Sequence, residues 1–253
     1  MANEVKKILE HYLFKNGDNL AFSVDLFGVS QDECHEILRN WHPFERPDIY
    51  STNENAIYGI EHFEYDAHRH GRKGSQSSKE QHSIKQSIDA EIREKFEHQD
   101  VVSSFRSMSS KANEEYYKSS FIKTFTEHYA RVEEYKKHIA SELNISSKDI
   151  SIWFIAEDMT PLGTYFICRN RPKQGSEPAF PIFFPEIEKL FLESTKIDGI
   201  IFADNCNKVL SLVKRNISSV EALKRYHRYR GEPLFFFEPK IASTAIKIFN
   251  VKK

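Results

Sequence analysis

Arg46-Pro47-Asp48-Ile49-Tyr50-Ser51-Thr52-Asn53-Glu54-Asn55-Ala56-Ile57-Tyr58-Gly59-Ile60-Glu61-His62-Phe63-Glu64-Tyr65-Asp66 is the stretch on which the fold turns. Two short β-prone runs flank the turn-forming Asn53-Glu54-Asn55, so residues 47–66 read as a β-hairpin. Such a hairpin carries Asp48 on one strand and Glu61 on its partner. Two carboxylates placed that way can converge on one hard cation. Mg²⁺ is usually held by one or two carboxylates together with water and phosphate oxygens. Side chains alternate along a strand, so Glu61, Phe63 and Tyr65 share one face while His62, Glu64 and Asp66 share the other. The sequence allows either set to meet Asp48.

On the N-terminal side, Val5, Ile8, Leu9, Tyr12 and Leu13 recur at helical spacing. Ser30 followed by Glu33 is a capping box that opens a second helix. Cys34, Ile37, Leu38 and Trp41 make its apolar stripe, and His42-Pro43 closes it because the residue before proline is driven out of the α region. On the C-terminal side, residues 67–83 are polar, with two glycines, and predict a mobile loop. The loop carries His68, Arg69, His70, Arg72 and Lys73 directly behind the acidic strand. These residues suit phosphate contact, and they suit a solvated connection equally well.

Residues 84–144 predict mostly helix. Ile84, Ile88, Ile92 and Phe96 recur in steps of four, and one aromatic stripe runs from Tyr117 through Phe121, Phe125, Tyr129 and Tyr135 to Leu143. A stripe of this kind is core rather than ligand site, and the region reads as a helical insertion over about 84–148. Strands resume at Ile150–Ala156, which turns at 157–163 to run back over 164–168. Pro185 suits the first position of a helix, and 199–202 with 208–213 predict a hairpin. Ser218 and Glu221 form another capping box, and final strands are expected at 234–237 and 244–249. The expectation is an α/β (α+β) chain, one domain over 1–253, with a mixed central sheet flanked by helices.

Composition narrows the class. The 253 residues are 40% hydrophobic and 29% charged, as in ordinary globular proteins, with a formal charge of −1. No apolar run approaches the roughly 20 residues of a membrane span. The opening Met1-Ala2-Asn3-Glu4 leads into a helix without a signal core. Cys34, Cys168 and Cys206 supply neither a disulfide framework nor ligand spacing, so a cytoplasmic setting is expected. No phosphate loop, dinucleotide fingerprint or Gly-x-Ser-x-Gly is present.

Pro47-Asp48, a short hairpin and then Glu61 resemble the signature of the PD-(D/E)XK nuclease superfamily over roughly residues 30–66. That signature ends in an acidic residue, any residue and a lysine; here Phe63 stands in the lysine's place. The resemblance implies a restriction-endonuclease-like fold and hydrolysis of DNA or RNA with Mg²⁺ or Mn²⁺ on Asp48 and Glu61. It also implies a cation that positions or activates water, for which Lys73 or Arg72 are candidates. Arg69, His70 and Arg72 would then meet the nucleic-acid backbone. Glu36 on the preceding helix and the Glu157-Asp158 pair at a strand end are further acidic candidates. The alternative reading is a nuclease-like fold without catalysis, serving as a binding or regulatory module, and Phe63 supports it.

Overall fold

The computed structural model describes residues 23–38, 41–53, 56–67, 70–71, 74–75, 83, 86–87, 101–106, 113–160, 163–168, 177–204, 209–229, 233–238 and 242–247. The first half runs β1 (Ser23–Phe27), α1 (Gln31–Leu38), β2 (Trp41–Pro43), β3 (Ile49–Thr52), β4 (Ile57–Tyr65), β5 (His70–Gly71), β6 (Gly74–Ser75), β7 (Val101–Arg106), α2 (Glu114–Tyr129) and α3 (Val132–Leu143). The second half runs β8 (Ile150–Asp158), β9 (Gly163–Cys168), β10 (Glu177–Pro178), α4 (Pro185–Glu193), β11 (Gly199–Asp204), β12 (Val209–Lys214), α5 (Ile217–Tyr226), β13 (Pro233–Glu238) and β14 (Ala242–Lys247). The predicted helix at residues 3–15, and nearly all of the predicted helix from residue 84 to 100, lie outside the described residues.

Seven strands form one mixed sheet in the order β1-β12-β11-β8-β4-β3-β2. β8 lies at its centre, parallel to both β4 and β11, and β2-β3-β4 is an antiparallel meander. Ile150 to Glu157 are apolar or buried at nearly every position because a central parallel strand is covered on both faces. Alternation splits them: Ile150, Ile152, Phe154 and Ala156 join one core, and Trp153 and Ile155 join the other. The first core takes in α2 and α3 through Tyr117, Phe121, Phe125, Tyr135 and Ile139, together with residues of α4 and α5. The second takes in α1 through Cys34, Ile37 and Leu38. Each such buried side chain contributes about 1.5–3 kcal/mol. The result is a mixed α/β molecule with helices on both faces of the sheet.

The expected hairpin is β3–β4, where Asn53 N–H donates to the Ala56 carbonyl at 3.0 Å. Ser30 caps α1 by accepting from Glu33 N–H at 3.0 Å, Pro185 begins α4, and β11–β12 is the hairpin of the 199–214 region. Several expectations need correction. Trp41 leaves α1 for β2, an edge strand whose rim tolerates Pro43. The stripe from 113 to 143 is two helices, interrupted at Ala130–Arg131. Val101–Arg106, inside the stretch expected to be helical, is a strand paired with β14; its adjacent β-branched valines favour that state. β9 does not run back along β8 but joins β10 and β13 in a separate sheet. Asn216, not Ser218, caps α5 through Ser219 N–H at 2.8 Å. The predicted loop at 67–83 contains the paired β5 and β6. β1 was not anticipated; its apolar alternation rests on Val24 and Leu26 alone.

Gly199 stands opposite Trp153 in the β11–β8 register, and a Cβ there would overlap the indole. Trp153 is fully buried, so the ring has little room to yield. Gly199→Ala is expected to lower stability by about 1–3 kcal/mol, the usual cost of overpacking. Urea unfolding reads this as a lower midpoint at unchanged slope. A wild-type midpoint would show that this glycine does not seat Trp153.

Candidate active site

β3 pairs with β4 only from Ile49 opposite Ile60 to Thr52 opposite Ile57. β4 continues along β8 as far as Tyr65. Beyond Ile60, therefore, β4 has a strand neighbour on the β8 side and a notch on the other. Asp48, just ahead of β3, fills that notch. Its N–H donates to Glu61 Oε2 at 3.1 Å, and its Oδ2 accepts from His62 N–H at 3.0 Å. Both acids are buried, at 5% and 8% exposure. The hairpin thus brings together the two residues that the sequence selected.

Helices supply the remaining groups. Tyr135 OH of α3 donates to Glu61 Oε1 at 2.8 Å, and His128 Nδ1 of α2 meets the same oxygen at 2.8 Å. A carboxylate only accepts, so Nδ1 is the donor in this contact, and Nε2 is the ring nitrogen turned away from Glu61. The His128 side chain keeps 23% exposure. Burial, reinforced by the Glu61 charge, pushes the Tyr135 hydroxyl far up, so it stays a donor.

Phe63 is 3% exposed and packs edge-on to Phe121 and Phe154. His128 stacks on it at 5.7 Å between ring centroids and 26° between planes. Where the nuclease pattern has a lysine, this chain has an apolar platform carrying an imidazole. Sequence reasoning missed His128. Its signal was position: it falls three residues after Phe125 on the buried stripe of α2.

Both strand faces carry chemistry. Glu61, Phe63 and Tyr65 face α2 and α3. On the other face His62 Nε2 lies 3.1 Å from Glu157 Oε2, and His62, Glu64 and Glu157 bring ligand atoms within 4.8 Å of one another. Glu157 is therefore part of a cluster, whereas Asp158 Oδ1 accepts from Thr160 N–H at 2.8 Å and shapes the turn. Asp66 is buried, and its N–H donates to Ser120 Oγ at 3.3 Å. Glu36 accepts from Tyr58 OH at 3.0 Å, while its carbonyl accepts from Ser51 and Asn53, so it anchors α1 to the hairpin.

Lys73, Arg69 and Arg72 lie outside the described residues; of His70 the backbone is described, in β5. Among the described residues, no lysine or arginine head is hydrogen-bonded to Asp48 or Glu61. A second run of basic residues, at 224–230, is tied into the fold: Lys224 Nζ is held by Glu188 at 2.8 Å and Glu221 at 3.3 Å, and His227 is buried.

Burial holds the Asp48 carboxyl above the usual range, and the Glu61 charge adds to the effect; the His62 N–H bond opposes it. A raised folded-state value favours the protonated form, so stability is lost as pH rises through it. Asp48→Asn, which keeps an acceptor for His62 N–H, is expected to stabilise the fold at pH 7. The gain should fade as pH falls below the unfolded aspartate value, where both forms are neutral. Denaturant midpoints of both proteins across pH 3–8 check this, and an Asp48→Asn protein less stable at pH 7 would contradict it. Tyr135→Phe removes a buried bond to a carboxylate and should cost about 1.5–3 kcal/mol in the same assay.

No protein-family model, curated protein or solved structure matches this chain. The resemblance carried by Pro47-Asp48 and Glu61 accordingly rests on those residues and their geometry alone.

Proposed function

We propose that the chain is a metal-dependent nuclease-like hydrolase of phosphodiester bonds in DNA or RNA, with its centre in the β3–β4 notch. The observation that carries this reading is the buried convergence of Asp48 and Glu61 beside His128. Burial raises the Asp48 carboxyl, and the like charge of Glu61 raises it further. A divalent cation relieves that repulsion.

The donor set fits such an ion. Among the described residues no donor reaches Asp48 Oδ1, and Glu61 Oε2 accepts a single N–H. Each oxygen keeps lone-pair capacity. Asp48 and Glu61 would hold Mg²⁺ or Mn²⁺, which when bound polarises a phosphoryl oxygen and lowers the pKa of water. Glu61 orients His128 through Nδ1, so Nε2 is the nitrogen able to take a proton from the attacking water. Phe63 fixes the plane of that imidazole by stacking. In this reading His128 takes the role of the motif's lysine, and Arg69, His70, Arg72 and Lys73 are left to meet phosphates.

A second reading, a silent nuclease-like module that binds nucleic acid or protein, is favoured by a different observation. Glu61 Oε1 is already saturated by Tyr135 and His128, and Phe63 seals the face beside it. Cleavage decides between the two. Plasmid, linear and single-stranded DNA and RNA are incubated with Mg²⁺ or Mn²⁺, comparing wild type with Asp48→Ala, Glu61→Ala and His128→Ala. Metal-dependent cutting should vanish in the first two and fall by about 10²-fold or more in the third. No cutting by wild type, or cutting indifferent to Asp48 and Glu61, would leave the silent module as the function.

A further inference from the structure

The face of β4 turned away from Glu61 carries a second constellation that the notch chemistry does not use. Glu64 stands directly opposite Glu157 in the parallel β4–β8 register. An imidazole lies beside them: His62 Nε2 is 3.1 Å from Glu157 Oε2, with side chains 11% and 8% exposed. One ligand atom from each of His62, Glu64 and Glu157 falls within 4.8 Å of the others.

We propose that His62, Glu64 and Glu157 form a binding site for a first-row divalent transition-metal ion of the Zn²⁺ or Mn²⁺ type. Two ligands about 2.1 Å from one ion stand about 3.0–3.4 Å apart between octahedral and tetrahedral angles. The His62–Glu157 separation matches this without movement. Glu64 is exposed and completes the set from the solvent side, so a coordination position stays open to water or substrate. An imidazole among the donors selects against Mg²⁺ and Ca²⁺, which prefer oxygen alone. His62 is also held in position, since its N–H is bound by Asp48. The site lies toward the carboxyl ends of two parallel strands, where open α/β sheets bind ligands. This assignment does not depend on the hydrolase reading.

Co²⁺ is the probe. The full chain, stripped with chelator, is titrated with Co²⁺ while visible d–d absorption is followed, and Zn²⁺ is then added in competition. Wild type should show saturable bands that Zn²⁺ displaces. Glu157→Gln and Glu64→Gln should each weaken binding at least about tenfold, with metal-free thermal midpoints recorded to confirm folding. Should Glu157→Gln not fold, Glu64→Gln, an isosteric change on an exposed side chain, decides alone. Absence of bands in wild type, or binding unchanged in either folded variant, overturns the site. Asp48→Asn separates the two readings: it should abolish cleavage yet keep the Co²⁺ spectrum.

Discussion

The backbone N–H of His62 donates to Asp48 Oδ2 at 3.0 Å in a part of β4 that β3 does not reach. A buried donor left without a partner costs about 1–3 kcal/mol, so a side chain must close the ladder where the strand does not. Asp48 does this while its own N–H is taken by Glu61. The two bonds tie the end of the hairpin into one unit and bring both carboxylates to the same place. Everything proposed for the notch depends on that early separation of β3 from β4.

β8 makes the separation tolerable. It pairs with β4 along the whole of Ile57–Tyr65 and with β11 on its other side, so β4 stays in the sheet after β3 has left. Its side chains feed both cores, one under α2 and α3 and the other under α1. The rigid backing has a consequence for chemistry. His62 and Glu61 are adjacent in sequence yet face opposite layers, so a single strand segment serves two polar clusters. One of them meets helical groups, Tyr135 and His128; the other joins the neighbouring strand through Glu157.

The notch is costly to the fold: burial, with the Glu61 charge added, holds the Asp48 carboxyl above the usual range. Tyr135 and His128 offset part of it by bonding Glu61. Phe63 belongs wholly to the packing side: it lies among Phe121, Phe125 and Phe154, where a lysine ammonium would be stranded from water. Among the described residues, the imidazole that reaches this face comes from α2: His128 meets Glu61 and stacks on Phe63.

Local signals in the sequence determined much of this. Alternation and turn chemistry set the β3–β4 hairpin, Ser30 and Pro185 set helix starts, and Pro47-Asp48 with Glu61 marked the acids, because each signal acts within a few residues. Some failures were local, as where Asn216 and not Ser218 caps α5, but most were non-local. Trp41 looked helical by spacing until its pairing with Ser51 made it a strand residue, and Val101–Arg106 is held in a strand by β14, more than a hundred residues away. The same reason hid the partners of the site. His128 and Tyr135 meet Glu61 across separations of 67 and 74 residues, and Glu157 meets His62 across 95. Both strand faces were open choices in the sequence, and only the packing of helices on one side and of β8 alongside decided what each face would touch.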